Sequence, residues 1–380
     1  MILNRWAVNI IFLINGFIYA NWIARLPRVQ ELYHLSNRSL GLVLLFVSLG
    51  AISSMPFTGW LIHKKSSRTI TLLGAIIFCL LVPFIPLLPQ VWMVIILFYL
   101  VGISAGLLDV SMNAQAVLVE QQYQKPLMSS FHALFSVGMM LGAGSGALFA
   151  KFNVGLFPHF AAVSSFCFLL VLWAMRSLIR DLPQAQTDGS SGFRLPTKAI
   201  LSMGIIAFCG MTGEGAISDW SSNYMENIGQ ASPALAPLAL ASFSLAMTIG
   251  RLFGDRARAY FGDRQLLIYS GSIALAGLAL ALSFPVAGII ISGFFIVGLG
   301  LATVVPIAYS TAGNAPDLPP GVGISMVTTV GYAGFLFGPP IIGFLADWQT
   351  LRFALLFVAL LFAVMTVISF RGKFAGAKGK

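Results

Sequence analysis

Runs of about twenty apolar residues follow one another along this chain almost without interruption. That is the length a helix needs to cross the hydrocarbon core of a bilayer. In lipid, backbone polar groups must be satisfied within the structure itself, which a helix does segment by segment. Charged residues make up only 9% of the 380 residues, against about a quarter in a soluble domain. Such a chain cannot clothe a water-facing surface, so a soluble enzyme is excluded. A net charge of +10 would suit nucleic acid. The basic residues, however, sit in short clusters between apolar runs, not along a helix face, and no nucleic-acid binding is expected.

Hydropathy places twelve spans, at residues 5–26, 39–62, 69–88, 91–119, 127–150, 156–176, 198–225, 233–253, 264–284, 286–311, 321–346 and 350–370. The first is read as a retained span, not a cleaved leader. The breaks at Pro86–Gln90 and Phe284–Pro285 are short. Each is a tight turn or a kink inside one long helix, and lengths favour the turn, because a helix of about 50 residues overruns one bilayer. Residues 177–197 are the longest polar stretch, with linker composition from Asp181 to Gly192. The expected architecture is all-α: a six-helix bundle over 1–176, a linker over 177–197, and a second six-helix bundle over 198–380 with a short basic tail.

Lys and Arg fall unevenly between the two faces. With the N terminus inside, seventeen of the 22 lie on the inner side and five (Arg25, Arg28, Arg38, Lys151, Arg352) on the outer. Positive-inside bias then puts both termini and the linker in the cytoplasm of a cell with an inner membrane. The two halves also repeat one another. Gly59 to Arg68 after span 2 and Asp255 to Arg264 after span 8 are displaced by 196 residues, and so are the glycine-rich stretches at Gly142 and Gly338. Parallel halves of this kind are a transporter plan with the solute site between them.

Ionisable residues within spans are costly in lipid and mark functional positions. Asp109 and Asn113 share a face of span 4, at a depth comparable to His132 on span 5. Asp109 either carries a transported proton with His132 as partner or makes a static interhelix bond. On span 7, Gly213 and Gly215 flank Glu214 and are expected to weaken the helix there. Glu214 is a proton or solute site, with Ser218 on its face. Asp219 lies nearer the outer surface and either binds solute or a proton, or makes an outer-gate hydrogen bond or helix pairing. On span 1, Asn15, Tyr19 and Trp22 follow 4-then-3 spacing. Amides that read hydroxyls beside rings that stack on apolar faces suit a sugar-like solute; Trp22 is equally suited to interfacial anchoring. Arg25 is expected to pair with an acid of span 7 at the outer gate. Thr328, Thr329 and Tyr332 on span 11 are expected to line the cavity, ahead of a kink at Pro339–Pro340. Lys64 and Arg68, with Arg251 and Asp255, are candidates for an inner gate. Cys79, Cys167 and Cys209 lie in apolar runs and read as packing residues. No sequence pattern asks for a metal, a cofactor, an ATP motor or acyl chemistry.

The basic loop after span 2 resembles the signature loop of the major facilitator superfamily, Gly-x-x-x-Asp-Arg-x-Gly-Arg-Arg. Gly59, Lys64 and Arg68 match it, while His63 stands at the Asp position and Ala259 at the equivalent place in the second copy. With the segments Ala20–Pro27, Glu214–Trp220 and Gly331–Pro340, the chain resembles the bacterial fucose-permease-like branch that includes the YbjJ-type inner-membrane proteins. The resemblance implies secondary active transport by alternating access. It implies proton coupling through an acid on span 4, which Asp109 supplies. The acid that such permeases carry on span 1 is missing here. The expected partners are a small solute, protons and membrane lipid, and the expected state is a monomer. Sugar uptake is the first reading, efflux of drugs or metabolites the second. A non-transporting receptor or scaffold is the alternative from another class.

Overall fold

A computed structural model describes residues 2–124, 127–181, 198–313 and 320–372. Lys125, linker residues 182–197 with Arg194, and the basic tail with Lys373, Lys378 and Lys380 fall outside the described residues. Among those described there are helices and no strands.

Spans 1 to 7 are the helices Ile2–Ile23, Asn37–Lys65, Ser67–Leu81 with a 3-10 extension Val82–Leu87, Val91–Tyr123, Met128–Lys151, Leu156–Ala174 and Lys198–Asn227. Spans 8 and 9 form one helical run, Pro237–Ser283, of 47 residues. At 1.5 Å per residue that is about 70 Å, more than twice a hydrocarbon core. The run breaks at Gly262, whose φ of 74° suits a residue without a side chain. It is therefore two spans, which brings the eleven long apolar helices among the described residues to twelve membrane crossings. Spans 11 and 12 are Pro320–Trp348 and Leu351–Arg371. Both short breaks are turns, since helices resume at Val91 and Ala287. A short helix, Leu26–Leu32, follows span 1.

One expectation about helix continuity fails. Span 7 runs unbroken through Gly213 and Gly215. Those glycines make room instead: a Cβ at Gly213 would lie 2.3 Å from the Phe362 ring, and one at Gly215 2.9 Å from Phe335. The discontinuity is in span 10, split into Ala287–Leu301 and Val304–Gly313. Pro306 has no N–H to offer the Ala302 carbonyl, and the Thr303 hydroxyl is engaged by Ser270 of span 9 at 3.1 Å. In span 11 the helix persists across Pro339 and Pro340. Pro339 leaves the Phe335 carbonyl without its helical donor, and Ser48 of span 2 donates to that oxygen at 2.9 Å.

Within the first bundle, spans 1 and 5 and spans 2 and 4 pack closely; in the second, spans 7 and 11 and the helices of spans 8, 9 and 10 do so. The bundles meet along spans 2 and 11 and along spans 5 and 8. Small residues set the spacing. A Cβ on Gly16 would lie 2.2 Å from the Phe135 carbonyl oxygen, and one on Gly138 2.1 Å from that of Leu13.

The basic loops hold helix ends within their own bundle. The Arg68 guanidinium donates to the Met175 carbonyl at the end of span 6, at 2.8 and 3.2 Å. In the second copy Arg264 donates to the Phe370 carbonyl at the end of span 12, so the 196-residue repeat extends to the contact itself. Lys64 lies over the Trp60 ring at 4.1 Å. Asp181 was read only as linker, yet its carboxylate accepts from the backbone amides of Ser67 at 2.7 Å and Arg68 at 3.3 Å. It satisfies free N–H groups at the start of span 3 and complements the helix dipole. Asp181→Ala is expected to lower stability by about 1 kcal/mol, read as a lower Tm in detergent, whereas a Tm equal to the parent's would discount the cap.

Candidate functional site

The bundles enclose a cavity of about 530 Å3 midway along the spans. Span 1 contributes Asn15 and Tyr19, span 4 Asp109 and Asn113, span 5 His132, span 7 Glu214, Ser218 and Asp219, span 8 Arg251, span 10 Tyr309, and span 11 Thr328 and Tyr332. Met55, Met139, Met211, Phe135 and Phe335 supply apolar wall. A smaller space of about 280 Å3 shares Met128, His132, Arg251, Val305 and Tyr309 and adds Asp255 and Arg258. It continues the cavity towards the end of the bundle that carries the chain termini.

Asp109 does not pair with His132. Its carboxylate accepts from the Tyr332 hydroxyl of the other bundle at 3.3 Å and from Asn113 at 3.4 Å. Asn113 also donates to the Asp109 backbone carbonyl at 2.8 Å. His132 packs edge-on against Phe12, ring centres 5.3 Å apart. Glu214 forms an ion pair with Arg251 at 3.2 Å, and the same guanidinium donates to Ser136 of span 5 at 2.6 Å. Asp219 accepts from Tyr19, again across the bundles, at 3.3 Å. Asn15 is turned to the Met112 sulfur at 3.6 Å.

Three expected residues lie elsewhere. Trp22 is fully buried between Tyr19 and Phe98, neither at an interface nor in the cavity wall. Thr329 is on an exposed face of span 11, one step round from Thr328. Among the described residues Arg25 makes no ion pair with an acid of span 7. It bonds His159 at 3.4 Å and the Val154 carbonyl at 3.0 Å within the first bundle. Arg28, on the short helix, pairs with Glu226 of span 7 and with Glu31. Beside it Asn223 donates to Gln30, and Gly343 leaves no room for a Cβ against the Asn37 carbonyl, 2.5 Å away. These contacts close the end of the bundle opposite the termini, the far end. Ser136 and Tyr309 were not anticipated. Ser136 follows His132 by one helical turn, a spacing that places both on one face.

Two features of this geometry decide the class: six-helix bundles in parallel repeat, and a polar cavity between them closed at one end. The sequence matches the Major Facilitator Superfamily over residues 6–319. The chain belongs to the Major Facilitator Superfamily. It is 34% identical over 357 residues to an uncharacterized MFS-type transporter of Yersinia pestis, covering 93% of this chain and 92% of that protein. It is 23% identical to the glucose/mannose transporter GlcP of Bacillus subtilis, covering 93% and 89%. The crystal structure of a point mutant of the nucleoside transporter NupG superposes with a TM-score of 0.81 at 10% identity, over 96% of this chain and 98% of that one. This member of the superfamily is thus a multi-pass membrane transporter of small solutes.

Proposed function

We propose that this transporter is a proton-coupled carrier of a sugar-like solute, taken up across a bacterial inner membrane by alternating access. The observation that carries the reading is the Asp109–Tyr332 contact. A carboxylate in the wall of the solute cavity is bonded to the opposite bundle, so its protonation state and the relative position of the bundles are linked. Asp109 bears the coupling proton. The Glu214–Arg251 ion pair holds the Glu214 side chain in the cavity wall, and this reading assigns Glu214 to solute binding. Asn15, Asn113, Tyr19 and Tyr332 give hydroxyl-reading groups beside rings, and a relative is named for glucose and mannose. Positive-inside bias supports a cytoplasmic position for the termini, the basic loops and the open end of the cavity. On this reading the protein works as a monomer of two bundles, 1–176 and 198–380.

Proteoliposomes under an imposed pH gradient, supplied with radiolabelled hexoses, test the reading. Asp109→Asn is expected to abolish accumulation driven by the gradient while leaving solute counterflow. Flux indifferent to the gradient, and to both Asp109→Asn and Glu214→Gln, sinks proton coupling. The methionine and phenylalanine wall favours one second reading, efflux of a more apolar compound, because flexible thioethers adapt to varied cargo.

A further inference from the structure

We propose that Asp219, with Tyr19, is a second proton-binding site, one that takes up its proton as the far end closes. The proposal rests on the proton-coupled reading of the cavity but concerns a different carboxylate. Asp219 stands eight residues from the end of span 7 at Asn227, about 12 Å from the far surface. Asp109 lies beyond the midpoint of span 4, on the side of the termini. The two acids therefore belong to opposite ends of the cavity.

The chemistry follows from what surrounds Asp219. Only 7% of it is exposed, and among the described residues the hydrogen bond its carboxylate accepts comes from the Tyr19 hydroxyl. The cation of the cavity, Arg251, is taken by Glu214 and Ser136. Across the cavity stand Asp109, His132, Tyr309 and Tyr332, which bring no fixed positive charge. At the far end Arg28 is held by Glu226 and Glu31. Two effects compete when the far end closes over an ionised Asp219. A charge-assisted bond from Tyr19 favours the carboxylate, while loss of hydration without a paired cation disfavours it by more. Desolvation wins, so the closed far end holds the neutral acid. The next turn of span 7 agrees: the Ser221 and Ser222 hydroxyls and the Trp220 indole N–H are buried with no partner. Opening would hydrate that segment. The proton adds to a carboxylate oxygen from the far-side water and leaves on reopening; no other bond changes.

Pulsed electron–electron distance measurement in nanodiscs tests this. Spin labels go on Leu32→Cys and Leu235→Cys, exposed far-end positions in opposite bundles. The native cysteines are buried and stay unlabelled. In the parent, the long-distance, far-open fraction is expected to rise with pH, by up to about tenfold per pH unit in the open-to-closed ratio for each linked proton. Asp219→Asn, a neutral mimic, is expected to hold the short distance at every pH. Asp109→Asn is expected to keep the far-end pH response, which separates this site from the coupling site proposed above. The proposal is overturned by a parent that does not respond to pH, by Asp219→Asn responding like the parent, or by Asp219→Asn standing open. Should the asparagine variant not fold, Asp219→Glu decides: a shifted midpoint supports the site, and the parent's midpoint overturns it.

Discussion

Gly138→Val is expected to yield no stably folded protein. A Cβ at this position would lie 2.1 Å from the Leu13 carbonyl oxygen and 3.0 Å from the Phe17 amide nitrogen. Both obstacles are backbone of span 1, so no rotamer change relieves the clash. Spans 1 and 5 would have to separate, and with them the reciprocal approach of Gly16 to Phe135. Losing a whole helix seam costs more than the 1–3 kcal/mol typical of overpacking; about 4 kcal/mol or more is expected, in the exceptional range. The protein carries its own unfolding reporter in Cys79, Cys167 and Cys209, all buried. A thiol-reactive fluorescent dye therefore reads the Tm in detergent directly. Gly144→Ala in the same helix is the control, since nothing lies within 4 Å of its Cβ position, and its Tm should be no lower than the parent's. A parental Tm for Gly138→Val would refute the packing argument.

The second large effect concerns the Glu214–Arg251 pair. Arg251→Met removes the cation and leaves a mostly buried carboxylate without its partner, and also strips Ser136 of its donor. Breaking a buried pair costs about 3–5 kcal/mol. Both groups line the cavity, where water screens them, so about 3 kcal/mol, the low end, is expected. Adding Glu214→Gln removes the orphaned charge and is expected to restore most of the lost Tm, a coupling that a double-mutant cycle measures directly. Transport should not return in the double variant, because the proposed solute-binding carboxylate is gone. If the two substitutions lower Tm additively, the ion pair is not what holds these helices.

The membrane architecture was legible because it rests on long averages. Twenty apolar residues speak with one voice, and the repeat offset survived down to Arg68 and Arg264 reaching the ends of spans 6 and 12. Contacts between helices were less legible, because they depend on azimuth and depth together. Arg25 and Arg28 lie three residues apart, yet only Arg28 reaches an acid of span 7, since the helix Leu26–Leu32 turns the chain in between. Thr328 and Thr329 differ by about 100° on one helix, enough to put one in the cavity and the other outside it. Span 10 breaks where Pro306 removes a donor, while the glycines of span 7 turned out to serve bulky neighbours. Asp181 was hidden by its company: a capping carboxylate inside a polar stretch looks like any linker acid.

Span 11 is not complete on its own terms. The carbonyl that Pro339 abandons is answered by a hydroxyl on span 2, a helix of the other bundle. The backbone of one half is thus finished by a side chain of the other. Severed and expressed alone, the second half would carry an unanswered oxygen in the middle of an apolar helix, while at this contact span 2 would lose an acceptor for one serine. The two bundles are alike in plan, yet at this seam one leans on the other for its backbone as well as for its side chains.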